Sequence, residues 1–291
     1  MSKIKCLSAV LFVNKQKVNA AQMAEKIRNE LENSKIKVTV YAFEGEPEKL
    51  PQGKWDIAFS LGGDGTVLYT ARSISHLGIP IIPVNLGTLG FIAEVSADDW
   101  LSVFQKWQEG EIVPSLRCMF EIAVERGSKI VMKNICLNDA VISATGIAKL
   151  INLDVHIDLN TALGSYRCDG LIIATPTGST AYSMAAGGPI LDPEMEALIL
   201  NPICPFDLSS RPFVLPSRQT LAITVADRQR SAVLLTVDGQ DTFHLECGDK
   251  IFIKQSPTSA QLIFNGRYAY YSALRKKLFW QAVQGQEDSH A

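Results

Sequence analysis

The sequence predicts an α/β N-terminal domain with a parallel sheet, followed by a β-rich C-terminal domain. Three observations carry that expectation. Strand-like and helix-like segments alternate through the first hundred or so residues. From about residue 115 the segments become short, often alternating, and divided by Gly, Asn or Asp turn signals. A glycine turn also joins a strand to a helix at "FSLGGDGTVLYTARS", residues 59–73. A chain of 291 residues suits about two domains, each with its own core. The expected boundaries are 1–112 for the α/β domain and 113–270 for the β-rich domain, with 271–291 a C-terminal helix packing back on the first domain and a polar tail.

In order along the chain, "CLSAVLFV" reads as the first buried strand. Lys3 and Lys5 precede it as in a secretory signal, but the apolar run stops at Asn14, Lys15 and Lys17 follow, and no small-x-small cleavage site is present. Val18, Met23, Ile27 and Leu31 lie near one face of a helix that Asn19 is placed to cap. "KVTVYAF" and "WDIAFSL" are strands, the turn at residues 62–66 opens a helix to about His76, and "IPIIPVN" is a further strand. Ser96 and Asp99 resemble a capping box, behind which Trp100, Val103, Phe104 and Trp107 form an apolar stripe. These tryptophans read as core. The strands "FEIAVER", "KIVMKNI", "NDAVISA", "NLDVHIDL", "TLAITVA", "AVLLTVDG" and "DKIFIKQ" then indicate a mostly antiparallel domain. "YYSALRKKLFWQAV" returns to helical spacing, and the polar residues after Gly285 are expected to be disordered.

Composition narrows the function classes. A hydrophobic fraction of 47% with 20% charged residues is that of a soluble globular chain. A net charge of -2 supplies no global field for nucleic acid or an anionic membrane, so any phosphate specificity is local. No segment approaches the ~18 apolar residues of a membrane span, and a cytoplasmic location with no nucleic-acid or membrane partner is expected. Cysteines 6, 118, 136, 168, 204 and 247 form no C-x-x-C pair and read as small buried hydrophobes in a reducing compartment. Histidines 76, 156, 244 and 290 are too scattered for a metal site.

Chemistry concentrates in three stretches. In "GGDGT", Gly62, Gly63, Gly65 and Thr66 form a candidate phosphate loop, because a bare turn at a helix start aims backbone amides at an anion. It is neither a Walker loop nor a G-x-G-x-x-G fingerprint, and its spacing alone fits an ordinary strand-to-helix turn with an Asp cap equally well. Asp64 shifts the balance. A carboxylate beside phosphates is repulsive unless a magnesium ion or a substrate hydroxyl lies between, and a kinase needs such a group for the metal or for the hydroxyl proton. The second stretch, residues 166–191, runs from a strand into Thr177, Gly178, Ser179 and Thr180, whose hydroxyls and bare backbone suit ribose and phosphate oxygens; a small-residue packing turn is the competing reading. In the third, Asn138 and Asp139 offer a donor and acceptors for a ribose diol, with a plain turn as the competing reading.

Together these stretches resemble the NAD kinase family, which transfers a phosphoryl group from ATP to the 2'-hydroxyl of the adenosine ribose of NAD. The match runs in order through "GGDGT", "NLGTLGF", "ND" at 138–139, "DGLIIATPTGSTAYS", "GGPI" and "VDGQ". The resemblance implies an NAD kinase-like fold with the site in a crevice between its domains. It implies Asp64 as proton acceptor, with Gly65 against the substrate. Asn138 and Asp139 would contact the ribose, and Arg167 and Asp169 would flank the substrate. Thr177, Thr180, Ala181, Tyr182, Ser183, Met184 and Ala185 would line the pocket, with Gln240 beside them. Lys149 stands where the family tends to carry a basic or histidine side chain, a solvated lysine being the alternative. ATP as donor, a divalent metal such as Mg²⁺ with no ligands assigned, and a homodimer or homotetramer are implied likewise. Two departures stand out: Asp139 replaces the family's usual Glu, and the first strand continues into "NKQK" without a glycine turn. A lipid kinase of the same wider group, for diacylglycerol or sphingoid acceptors, would share the "GGDGT" turn. Its Asn-Glu pair is missing from the following "VLYTAR". A phosphofructokinase-like kinase would not predict "TPTGSTAY". From another class, a non-catalytic dinucleotide sensor would gain little from Asp64 beside phosphates.

Overall fold

The structure is a computed structural model describing residues 4–44, 50, 52–87, 90–146, 149–266 and 269–278. The chain divides into two compact units, one of Met1–Val67, Ile82–Val113 and Ile263–Ala291, the other of Leu68–Ile81 and Pro114–Leu262.

In the first unit, β1 (Ser8–Asn14), α1 (Ala20–Asn33), β2 (Lys37–Phe43), β3 (Ile57–Gly62) and the start of α2 (Asp64–Ile74) follow one another. Most of β4 (Pro80–Asn85), then β5 (Val95–Ser96) and α3 (Trp100–Gln108) complete its central stretch. The strand order is β2-β1-β3-β4, with β1 parallel to both neighbours and β5 parallel to β4. Strands covered on both faces need no polar alternation, and β3 is buried along its whole length. Ala24, Ile27 and Leu31 of α1 pack with Leu11, Phe59 and Leu61 of the sheet, and α3 adds Trp100, Val103, Phe104 and Trp107 to the same core. Ser96 and Asp99 do pair, Ser96 Oγ donating to Asp99 Oδ2 at 2.7 Å and accepting from the Asp99 N–H at 3.1 Å.

Two expectations for α1 fail. Asn19 stands at the N-cap but in the left-handed region, φ 67°, and makes no side-chain cap bond. Val18 lies before the helix and is 79% exposed, because the turn at residues 15–18 directs it outward.

The second unit is almost wholly antiparallel. Its strands are β6 (Ser115–Arg117), β7 (Phe120–Arg126), β8 (Lys129–Cys136), β9 (Asp139–Ala144), β10 (Ile151–Ile157), β11 (Thr161–Cys168) and β12 (Gly170–Ala174). After a 3-10 turn at Thr177–Thr180 and the short α4 (Tyr182–Ala185) come β13 (Ala197–Ile203), β14 (Phe213–Pro216), β15 (Leu221–Val225), β16 (Val233–Val237), β17 (Asp241–Leu245), β18 (Lys250–Gln255) and β19 (Ala260–Leu262). One six-stranded sheet has the order β11-β10-β15-β18-β7-β8, the other β14-β13-β12-β9-β16-β17. Their facing residues, among them Phe120, Ile122, Leu153, Leu171, Ile173, Leu200 and Ile253, form one core. Strand β12 is buried on both sides, since Leu171 and Ile173 enter that core while Ile172 and Ala174 join Leu191 and Ile199 on the other face. That continuous burial gives the loop after β12 a rigid base.

The last helix, α5 (Ala269–Lys277), belongs to the first unit. The tail after Gly285 lies outside the described residues. Cys6, Cys118, Cys136 and Cys168 are buried free thiols, but Cys204 and Cys247 are exposed, correcting the expectation of six buried ones. Both sit in connections between strands, where no sheet face covers them. Among the described residues, no helix is long and apolar enough to cross a membrane.

Candidate functional site

In the first unit, the parallel strands β1 and β3 end at the same sheet edge, on Asn14 and Gly62, so the loops that follow them are neighbours. The Leu86 N–H donates to the Gly62 carbonyl at 2.8 Å, bringing the segment after β4 to the glycine turn. Thr66 is buried, and its hydroxyl accepts from Asn14 Nδ2 at 3.3 Å, so it faces the protein interior. Beside Gly63 the space is open, with nothing within 4 Å of where a Cβ would stand. Gly65, next along, is exposed.

Asp64 is the first residue of α2. Its carboxylate accepts three successive backbone N–H groups: Phe91 to Oδ2 at 2.9 Å, and Ile92 and Ala93 to Oδ1 at 3.2 and 2.8 Å. A carboxylate offers about four acceptor directions, so one is left for another donor or a cation. The fit admits no side chain at Gly90, where a Cβ would stand 1.7 Å from Asp64 Oδ1. The segment 90–93, at and just past the end of "NLGTLGF", therefore holds the acid in one orientation. Lys277 of α5 lies over the Phe91 ring at 4.0 Å, against the same segment.

In the second unit, Asn138 and Asp139 stand at the start of β9, buried at 8% and 5% exposure. The loop after β12 folds onto them: Thr175 N–H donates to the Asn138 carbonyl at 2.8 Å, and Thr175 Oγ1 to the Leu137 carbonyl at 2.5 Å. Gly178 packs flat on Asn138, whose carbonyl oxygen would be 2.1 Å from a Cβ there. Two polar atoms in this cluster, Asn138 Oδ1 and Thr177 Oγ1, are buried without a hydrogen-bond partner among the described residues. Burying such atoms unpaired is costly, and a polar ligand would satisfy them. Burial, and then the negative charge of Asp238, push the Asp139 carboxyl up to about 7.

The other residues implied by the resemblance are placed as follows. Thr180 is buried, its hydroxyl bonded to the Thr177 carbonyl, whereas Tyr182 is 49% exposed. Ser183 is held from behind by Asn201 Nδ2, which donates to its carbonyl at 2.9 Å and its hydroxyl at 3.3 Å. Ala181 and Met184 are half-buried and Ala185 exposed. Arg167 stacks on Phe206 at 4.5 Å, and half-buried Asp169, just before β12, donates its N–H to the Ile203 carbonyl of β13 and accepts from the Ala144 N–H of β9. Lys149 is exposed. Gln240 Oε1 accepts from Arg72 Nη2 at 2.9 Å.

Sequence reasoning passed over Asp238, Arg72 and Asn201. Asp238 was hidden by the Asp-Gly turn signal it carries, and a buried Asn inside an apolar strand has no local signature.

Comparison with known proteins bears on the same segments. The ATP-NAD kinase N-terminal domain matches residues 42–112, and the ATP-NAD kinase C-terminal domain matches residues 137–264. The chain is 40% identical to the NAD kinase of Treponema denticola over 274 residues, covering 93% of this chain and 95% of that one. It is 42% identical to the NAD kinase of Photobacterium profundum, over 79% of this chain and 78% of that one. Two solved structures share the fold. Yeast NADH kinase complexed with NADH matches at TM-score 0.82 and 24% identity, covering 96% of this chain and 89% of that one. An NAD kinase from Archaeoglobus fulgidus in complex with ATP matches at TM-score 0.70 and 22% identity, covering 92% and 97%. With both domains of the family matched in order and such identity across most of its length, the chain belongs to the NAD kinase family.

Proposed function

We propose that this chain phosphorylates the 2'-hydroxyl of the adenosine ribose of NAD with ATP, giving NADP. Family membership and the NADH and ATP complexes of its structural neighbours support the reactants. The observation that carries the mechanism is Asp64, an acceptor-only group at a helix start, held by three amides with one direction remaining. In that reading the 2'-hydroxyl donates its proton to Asp64 while its oxygen bonds the γ-phosphorus. The bond from that phosphorus to the bridging oxygen breaks, and ADP leaves with the electron pair. Gly62, Gly63, Gly65 and Thr66 form the phosphate loop, the open side of Gly63 being the face presented to ATP. Asn138 and Asp139 bind the ribose diol. The unpartnered Asn138 Oδ1 and Thr177 Oγ1 accept from, or bond with, NAD hydroxyls. Arg167, Asp169, Lys149, Gln240 and the stretch 180–185 complete the assignment to NAD, Gln240 acting through Arg72.

Among the described residues, no three His, Cys, Asp or Glu side chains gather as metal ligands. A Mg²⁺ would be carried on the ATP phosphates, since that ion is usually held by one or two carboxylates plus substrate phosphates. The ion would neutralise charge on the transferred group, leaving the remaining direction of Asp64 to the 2'-hydroxyl. We further infer a cytoplasmic homodimer or homotetramer, for which exposed Phe206, Leu208 and Phe213 offer apolar surface. Light scattering on the purified chain reads its subunit number.

The test is an assay for NADP formed from NAD, ATP and Mg²⁺, run beside one with diacylglycerol as acceptor. NADP formation with an inert lipid is expected. Phosphorylation of the lipid alone overturns the assignment in favour of a lipid kinase, and NAD binding without turnover leaves a dinucleotide sensor.

A further inference from the structure

We propose that Asp238, clamped by Arg72, is a positioning residue that presets the 137–139 turn to receive NAD. This rests on the assignment of Asn138 and Asp139 to the ribose. The carboxylate of Asp238 accepts three successive backbone N–H groups: Leu137 to Oδ2 at 3.0 Å, and Asn138 and Asp139 to Oδ1 at 2.7 and 3.1 Å. In return the Asp238 N–H donates to the Asp139 carbonyl at 2.9 Å. Asp238 is only 6% exposed, and Arg72 Nε stands 3.7 Å from its Oδ2. The guanidinium is fixed in turn by Asp241 Oδ2 at 2.8 Å and Gln240 Oε1, while Asn134 Nδ2 donates to the same Asp241 oxygen at 2.8 Å.

The turn itself does not require this chemistry. Asp238 and Gly239 have φ 50° and 65° in the three-residue connection between β16 and β17, where Val237 pairs with Asp241 and the Gln240 N–H donates to the Val237 carbonyl; two successive left-handed residues are what Asn-Gly supplies as readily as Asp-Gly. An asparagine would make the turn. It would not accept from all three amides or oppose a buried guanidinium. The carboxylate is therefore explained by the segment it holds, and that segment carries Asn138 and Asp139. Arg72 lies in the same helix that opens on Asp64, so one element supplies both the acid and this clamp.

Asp238→Asn separates the turn from the clamp. We expect the Kd for NAD, measured by calorimetry, to rise about tenfold or more while the KM for ATP stays within about twofold. A second readout excludes a merely structural role. Three groups bear on Asp139: Asp238 of the hairpin, Cys136 of β8, whose thiol burial keeps protonated, and Arg72 of α2 through Asp238. Removing the Asp238 charge should move the pH limb of NAD affinity toward acid, because Asp139 then ionises more easily. If Asp238→Asn does not fold, Asp241→Asn decides. Its side chain is 45% exposed, and its loss loosens Arg72, so NAD affinity should fall a few-fold in the same direction. A folded Asp238→Asn with unchanged NAD affinity and an unmoved limb overturns the proposal, as does an unchanged Asp241→Asn where the first variant is unfolded. Absence of NADP formation by the unaltered chain overturns the kinase reading instead.

Discussion

Asp64 and Asp238 are bound alike, each by three successive backbone N–H groups, at 91–93 and at 137–139. What surrounds them differs. Asp238 is buried, with the Arg72 guanidinium beside it at 3.7 Å, an ion-pair distance. Asp64 is half-buried and makes no ion pair among the described residues. A carboxylate whose side chain is wholly buried behind amides and beside an arginine is closed to a substrate, so its work is to hold the backbone around it. A carboxylate ringed by amides alone is oriented and still able to accept. The same local device thus holds a buried scaffold in one unit and, in the proposed reaction, the proton acceptor in the other.

The strongest way to break this comparison is Asp64→Asn. Loss of the acceptor should lower kcat by about 10²–10⁴ with NAD still bound and the fold retained, read by steady-state kinetics beside circular dichroism. Unchanged turnover removes Asp64 from the mechanism. Next is Gly90→Ala, whose Cβ would stand 1.7 Å from Asp64 Oδ1 and so displace the carboxylate. Misplacement on that scale should reduce kcat by about 10², with NAD affinity unaltered. Equal losses in kcat and NAD affinity would instead make the 90–93 segment part of the NAD site.

A third measurement addresses the second unit. Asp139 has its folded pKa raised from 3.8 to about 7, so between those values the folded chain keeps a proton that the unfolded chain has lost. Its stabilising contribution is therefore complete below about pH 4 and lost as pH rises to about 7, at about 1.4 kcal/mol per pH unit. Urea unfolding at several pH values should show that Asp139→Asn removes this slope. A variant with the unaltered slope would mean that Asp139 is charged in the folded chain throughout the range. The smallest effect is expected from Lys277→Met, which removes the cation from the Phe91 ring and should cost about 0.5–1 kcal/mol of stability, with turnover changed only a few-fold. A large loss of turnover there would show that α5 orients the acid.

Much of the fold was legible because it rests on local pattern. The continuous apolar runs of β1, β3 and β4 and the alternation of β7 and β10 are hydrophobic periodicities that survive folding unchanged. Other features were not legible. Strand β11 is a mostly exposed edge whose core-facing Leu163, Tyr166 and Cys168 depart from strict alternation, its pairing with β10 being bulged, and β17 follows a turn whose two halves only pairing reveals. Asn19 fits a cap by residue type, yet its backbone enters the left-handed region, where the side chain cannot reach the helix amides. Gln240 was singled out from "VDGQ", but its side chain binds Arg72 while Asp238 holds the 137–139 turn.

By itself the sequence determined the two textures of the chain, the acid in its glycine turn and membership of the family, because these depend on residue type at short spacing. Only the tertiary structure decided which backbone donors each acid meets. The amides of 91–93 meet Asp64 across 27 to 29 positions, and those of 137–139 meet Asp238 across about a hundred. Whether a carboxylate ends as scaffold or as acceptor is set by which distant donors fill its lone pairs. That is a property of packing, to which no stretch of neighbouring residues is a guide.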